Sequence, residues 1–182
     1  GSLLKTTTAQ MTYDSYGNAT QIINRDLDGY GNLARKQTTT NSYGSTDYDC
    51  EKGRLSKTTV TTERPGQPSK TRESTFSYYS SGDLEGLLRT ETVQSNGDQS
   101  QKLQTTHYYD SHGNRTHTTS QGWDGQQTST RHSVRNTYDS SGRYIVDSYQ
   151  QYPGLGERRI SSVVSRNAYG SPTEISDSLG NR

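Results

Sequence analysis

The stretch Tyr138-Asp139-Ser140-Ser141-Gly142-Arg143 reads YDSSGR, and the chain writes it more than once. YDSYGN starts at Tyr13 and YDSHGN at Tyr109. Looser copies lie between and after them. Tyr48-Asp49 opens YDCEKGRL, with one extra residue before Gly53. Tyr78 opens YYSSGDL, with Tyr79 in the Asp place and Gly82 closing the phrase. Tyr169 opens YGSPTEI, where the Asp is lost and Pro172 enters. The opening tyrosines are 35, 30, 31, 29 and 31 residues apart. A period that steady marks a chain built from repeated supersecondary units.

Each phrase encodes a reversal. An Asp at the first turn position accepts hydrogen bonds from backbone N–H groups two residues on. Two small or polar residues follow, and Gly then supplies a positive φ, as a type I turn with a bulge requires. Asp14–Gly17, Asp110–Gly113 and Asp139–Gly142 therefore read as one kind of hairpin turn. The preceding Tyr lies at the end of the incoming strand, where its ring covers cross-strand neighbours.

A second set of turn signals falls about half a period away: DLDGYGN near Asp26, NSYGST near Asn41, ERPGQPSK near Glu63, QSNGDQ near Gln94, QGWDGQ near Gln121 and QYPGLGE near Gln151. Strands run between the two sets. The expected strands are 5–14, 18–24, 33–40, 54–63, 70–79, 87–94, 102–110, 115–121, 128–138, 144–151 and 157–169. No helical stripe is visible. The expected fold is all-β, an antiparallel meander of long β-hairpins.

Composition agrees with a wet sheet. Only 24% of the 182 residues are hydrophobic, and Leu, Ile, Val and Phe make up 23 of them. Mean hydropathy is −1.15. Such values flag disorder when net charge is high, but the formal charge is only +1 and there are 14 Tyr. Thr and Tyr suit a pleated, half-exposed surface. No apolar run is long enough for a membrane span, and GSLLKTTTAQ is not a signal peptide. Gly1-Ser2 reads as a cloning scar. Cys50 is the sole cysteine, so no internal disulfide forms. The near-neutral, interspersed charge gives no footprint for nucleic acid.

The YDxxGN/R phrase, its Tyr-rich flanks and its period near 30 resemble YD repeats, also called Rhs repeats. These occur in bacterial polymorphic toxins, insecticidal toxin-complex shells, wall-associated proteins and animal teneurins. The resemblance covers residues 11–182, about six repeats, and makes 1–182 a single repeat region and a fragment of a larger chain. It implies a sheet strip forming part of a spiralling shell, secreted or at the cell surface. The implied partners are neighbouring repeats and a C-terminal cargo domain of the same parent chain. The terminal SDSLGNR reads as another weak repeat rather than a DPxGL-like self-cleavage motif, so no cleavage is assigned.

The expected function is a non-enzymatic structural segment of a shell that encapsulates or presents a C-terminal toxin or effector domain. The alternative is a cell-surface adhesion or carbohydrate-binding module, with glycans as partners and Trp123, alone in a turn, as the candidate ligand contact. Unpaired end strands suggest an edge-strand dimer. No catalytic residue, cofactor or metal site is assigned. His107, His112 and His117 stand five apart and would alternate faces on a strand; His132 completes the imidazoles. Asp26, Asp28 and Asn32 faintly resemble a calcium loop, but Tyr30 occupies a ligand place and no closing Glu follows. No GxSxG motif marks a nucleophile.

Overall fold

The computed structural model of the protein describes residues 5–44, 52–123, 125–126, 128–152 and 154–182. The expected repeat positions Tyr48 and Asp49, and Cys50 beside them, lie outside the described residues. The strands are β1 (Thr6–Tyr13), β2 (Ala19–Leu27), β3 (Leu33–Tyr43), β4 (Leu55–Arg64), β5 (Gln67–Tyr78), β6 (Leu88–Val93), β7 (Leu103–Tyr109), β8 (Arg115–Trp123), β9 (Thr128–Tyr138), β10 (Ile145–Tyr152), β11 (Gly156–Arg166) and β12 (Pro172–Asp177). They follow chain order, each hydrogen-bonded to the next, in an open antiparallel meander. Two single turns of 3-10 helix, Gly82–Leu84 and Gln99–Gln101, are the only helical pieces among the described residues. No helix is long and apolar enough to cross a membrane.

Several boundaries differ from the sequence expectation; at β2 and β3 pairing overrides local turn chemistry, and after β11 a turn at Asn167 ends the strand early. β2 runs on to Leu27, because Asp26 is held between Thr7 of β1 and Arg35 of β3. Asp26 therefore stands in a strand and not in a turn. β3 continues through Asn41 to Tyr43, opposite Thr58 and Leu55. β11 ends at Arg166, and β12 follows it, beginning at Pro172. A proline at the first position of a strand forfeits no ladder bond.

Two compact units emerge from the strands: Gly1–Ser77 with Thr92–Asp98, and Tyr78–Glu91 with Gln99–Arg182. Neither contains a buried hydrophobic side chain among the described residues. The buried polar or charged residues are Asp26, His107, Ser133 and Ser176. In the first unit Asp26 is 6% exposed and meets Lys5 Nζ at 3.2 Å, Arg35 Nε at 3.0 Å and the Thr7 hydroxyl at 3.0 Å. Lys36–Glu63 (2.8 Å) and Lys57–Glu73 (3.3 Å) add cross-strand ion pairs. In the second unit hydroxyl pairs do similar work: Thr105–Ser120 at 3.1 Å and Ser165–Thr173 at 2.7 Å. Each cross-strand pair of this kind contributes about 0.2–1 kcal/mol, so many weak bonds replace a core.

Candidate functional site

The repeated phrase folds as one turn. In Asp14–Gly17 the backbone N–H groups of Tyr16 and Asn18 both donate to Asp14 Oδ1 at 2.9 Å. The Gly17 N–H closes on the Asp14 carbonyl at 3.2 Å, with Gly17 at φ +85°. A register shift between Thr12 and Tyr13 supplies the bulge. Asp110 repeats the pattern with His112 N–H at 2.9 Å and Asn114 N–H at 3.0 Å. Asp139 closes a turn one residue wider: its Oδ1 accepts from Arg143 and Tyr144, and Ser141 Oγ donates to Oδ2 at 2.6 Å.

The same turn recurs where the YD phrase is absent. Asp28 takes the N–H groups of Tyr30 and Asn32, both at 2.9 Å. Asp177 takes those of Leu179 (2.8 Å) and Asn181 (3.0 Å). The faint calcium loop is thus an ordinary turn, with Asp28 engaged by backbone donors and Asp26 engaged by cations in β2. Asn167 does the same for Tyr169 and Ser171, both at 3.0 Å. That corrects the last repeat. Tyr169 is not the strand-end residue but stands at the turn tip, 90% exposed; Arg166 holds the strand end and Asn167 the Asp place. Gly82 also departs from the pattern. It has φ +74°, but its turn widens through a 3-10 helix and closes between Tyr79 and Leu87.

These donors hold the turn carboxylates ionised. The Asn18 side chain, then burial acting in the opposite sense, then backbone N–H groups leave Asp14 below the ordinary Asp range. Asp28, Asp110 and Asp177 are lowered as well. At Asp110 burial opposes the shift and the Asn114 and His112 donors overcome it. Asp139, held first by the Ser141 hydroxyl, falls to about 2.

The tyrosines do more than cover neighbours. Tyr43, the last residue of β3, donates its hydroxyl to the carbonyl of Ala19, the first residue of β2, at 3.0 Å. Tyr109 at the end of β7 reaches Leu88 at the start of β6 at 2.9 Å. Tyr138 at the end of β9 reaches Arg115 at the start of β8 at 3.2 Å. Arg166 at the end of β11 donates to the carbonyl of Ile145, the first residue of β10. Each bond ties the strand entering one turn to the strand leaving the turn before it. Tyr13 ends β1, which has no strand before it among the described residues, and its hydroxyl meets Met11 Sδ at 3.2 Å. Tyr78 is the last residue of β5. Its neighbour Tyr79 reaches the His107 carbonyl at 3.0 Å and packs edge-on against Tyr109.

Successive turns also touch. Asn18 Nδ2 donates to the Lys52 carbonyl at 2.8 Å, beside Gly53, and Lys52 Nζ lies 4.7 Å from the Tyr16 ring centre. Asn114 Nδ2 repeats the first bond to the Gly142 carbonyl at 2.6 Å. Side chains from one turn lie over the glycine of the next: Leu87 by Gly113, His112 over Gly142, Tyr144 over Gly170. At Gly142 and Gly170 glycine is needed for its φ and for the absent β-carbon. The phrase's Tyr, Asp, Gly and Asn therefore form a ladder of turns within each unit.

Beside the ladder of the second unit lies a cavity of about 480 Å³ bounded by Asp110, His112, His117, Arg135, Tyr138 and Asp139. Arg135 and His117 in its wall are held by neighbouring residues outside the lining. Arg135 makes a two-pronged pair with Glu157 (3.0 and 2.6 Å) and covers the Tyr149 ring at 3.9 Å. Glu157 holds the Arg135 pKa up, and Arg135 holds that of Glu157 down. Burial, with the nearby Asp110 carboxylate, raises the Tyr138 phenol. His117 Nε2 lies 2.6 Å from Ser133 Oγ and its ring stacks on Tyr108. Ser133 is 4% exposed, so that hydroxyl meets no substrate unless the sheet opens. His107 is buried beside Thr118, and burial lowers its pKa. His132 is exposed. Among the described residues no three His, Cys, Asp or Glu side chains converge as metal ligands. Trp123 is half-buried at the end of β8, opposite Thr128.

No protein-family model matches the sequence, and no curated protein matches it. Among solved structures, the crystal structure of TcdB2-TccC3-Cdc42 is similar over 93% of this chain, at 12% identity and a TM-score of 0.41. This chain spans 12% of the length of that one. A TM-score so low leaves function to be argued from this chain's own residues.

Proposed function

We propose that this chain is a non-enzymatic structural segment of a repeat-built β-sheet wall that encapsulates or presents a C-terminal toxin or effector domain. The observation that carries the reading is the ladder of turns. Within each unit it ties hairpins to the ones before through Tyr or Arg donors on backbone carbonyls. Stability made this way is proportional to the number of stacked units and needs no apolar interior. Such a sheet can extend over area while both faces stay polar, which suits a wall and ill suits a globule closed around one catalytic cleft. In this reading the partners are neighbouring repeats and a cargo domain of the same parent chain, and the location is extracellular or at the cell surface.

Intact-mass measurement and terminal sequencing of the secreted parent polypeptide, read past Arg182, test it. A downstream piece that is cleaved yet co-purifies with the repeats supports a container. A parent chain with no associated downstream piece overturns it.

A second reading, a surface adhesion or carbohydrate-binding module, is favoured by one separate observation: Arg64, Lys70 and Arg72 stand exposed on one face of the first unit, paired with no carboxylate among the described residues. Saturable glycan binding that is lost in Trp123→Ala would instead locate the contact at Trp123.

A further inference from the structure

The Asn that ends the repeated phrase also opens another motif. Of the nine Asn in the chain, Asn18 and Asn114 alone stand two residues before a Ser or Thr, in Asn18-Ala19-Thr20 and Asn114-Arg115-Thr116. Asn-x-Thr, with x not Pro, is the acceptor pattern for N-linked glycans. Both copies fall at the same place in the repeat, directly after the turn glycine.

The fold spends this acceptor completely. A side-chain amide nitrogen carries two protons. Asn18 Nδ2 gives one to Asp14 Oδ2 at 2.9 Å and the other to the Lys52 carbonyl at 2.8 Å. Asn114 Nδ2 does the same with Asp110 Oδ2 at 3.1 Å and the Gly142 carbonyl at 2.6 Å. The hydroxyls two residues on are engaged as well. Thr20 Oγ1 donates to the Thr12 carbonyl and Thr116 Oγ1 to the Tyr108 carbonyl, both at 3.3 Å. Between them Ala19 and Arg115 are strand residues, paired with Tyr13 and Tyr109. Both asparagines are half-buried. Asn32 holds the same position in the Asp28 turn but is exposed, and among the described residues its Nδ2 meets Asp28 Oδ2 alone, at 3.3 Å.

We propose that Asn18 and Asn114 are N-glycan acceptors open only in the unfolded chain, and that a glycan there and the full set of turn bonds exclude each other. The proposal rests on the extracellular placement above, which takes the nascent chain through a secretory route. In the transfer the amide nitrogen bonds to C1 of the sugar. The bond from C1 to the oxygen of a polyprenyl diphosphate carrier breaks, and the nitrogen gives up one proton. One N–H then remains for two acceptors, so either the turn carboxylate or the carbonyl of the next turn loses its donor. The sugar also takes the place of the lost proton, where an acceptor oxygen now stands. At Asn32 one acceptor and one N–H still match.

Translation of the full chain, behind a cleavable secretion signal, into microsomes that contain the transferase tests the unfolded acceptor. Incubation of the folded chain with the same transferase and lipid-linked oligosaccharide tests the folded one, with peptide mass spectrometry reading each Asn. Nascent chains should carry glycan at Asn18 and Asn114. Ala34→Thr gives Asn32 an acceptor sequence. That variant, once folded, should be modified at Asn32, and roughly tenfold or more slowly at Asn18 and Asn114, which react only through local opening. The chain glycosylated before folding should unfold at a lower denaturant midpoint than the bare chain or show no folded state. The variant glycosylated at Asn32 should unfold where its unmodified form does. Absence of glycan from nascent Asn18 and Asn114 overturns the proposal. So does transfer to the folded chain there as readily as at Asn32, or an unchanged midpoint in the chain glycosylated before folding. The readouts come from this chain alone, so they and the cargo measurement can fail separately.

Discussion

The imidazole of His112 lies across the α-carbon of Gly142: a β-carbon at that glycine would sit 2.7 Å from the ring's Cγ. One turn thus reserves space for a side chain of the turn before it. Gly113, in the equivalent place one hairpin earlier, has only Leu87 Cδ1 nearby, at 3.9 Å. The two glycines share a positive φ, +68° and +79°, so they separate conformational strain from crowding.

Gly113→Ala should destabilise the second unit by about 1–2 kcal/mol, the cost of a left-handed L-residue. Gly142→Ala should cost more, because the imidazole must also move. In a His112→Ala background the added cost at position 142 should fall to that seen at 113. Denaturant midpoints of the four variants check this; an unchanged cost without the imidazole would refute the packing argument.

Tyr109→Phe deletes the hydroxyl that donates to Leu88 and should lower stability by about 1 kcal/mol. Tyr13→Phe should cost almost nothing, since its hydroxyl meets only a thioether and is solvent-exposed. Equal losses at both positions would show that the carbonyl bond between strands contributes nothing.

Acid should weaken the turns in a defined window. Asp139 titrates near 2 in the folded chain, below its ordinary 3.8. A carboxylate depressed by folding stabilises the native state above its unfolded pKa, and that contribution is lost as pH falls through the folded value. The unfolding midpoint should therefore drop between about pH 4 and pH 2. Asp139→Asn should flatten part of that slope and keep the turn, because Asn167 accepts the same backbone N–H groups without a charge. Thermal melts across the pH range of both proteins give the comparison; identical slopes would sink the assignment.

Calorimetry should show an unfolding heat capacity per residue below the roughly 12–15 cal/mol/K usual for globular domains. The cause is the lack of buried hydrophobic side chains among the described residues. A value within the usual range would mean that much more apolar surface leaves water than the fold implies.

The fold was legible wherever turn chemistry is local. Asp14–Gly17, Asp110–Gly113 and Asp139–Gly142 carry acceptor, spacing and glycine within four residues, and the intervening strands follow from them. Contacts set by register were hidden. Lys5 and Arg35 meet on Asp26 only after three strands align, so Asp26 read as turn chemistry. The tyrosine hydroxyl bonds join positions more than twenty residues apart, and only the rings' recurrence hinted at them. Arg64, Lys70 and Arg72 look balanced by Glu63 and Glu73 in a linear reading; alternation puts the acids on the opposite face. The spacing of the imidazoles said little, because His112 sits in a turn rather than on a strand.

Arg166 and Asn167 spell neither Tyr nor Asp, yet they close the turn between β11 and β12 and grip Ile145 as the earlier copies grip their neighbours. What the copies share is valence: how many protons are offered, how many lone pairs receive them, and where both point. Letters can drift while that arithmetic stays fixed. Kinship scored letter by letter will then fade sooner than kinship scored bond by bond, and a chain of this kind can lose its textual relatives while every hairpin is still wired alike.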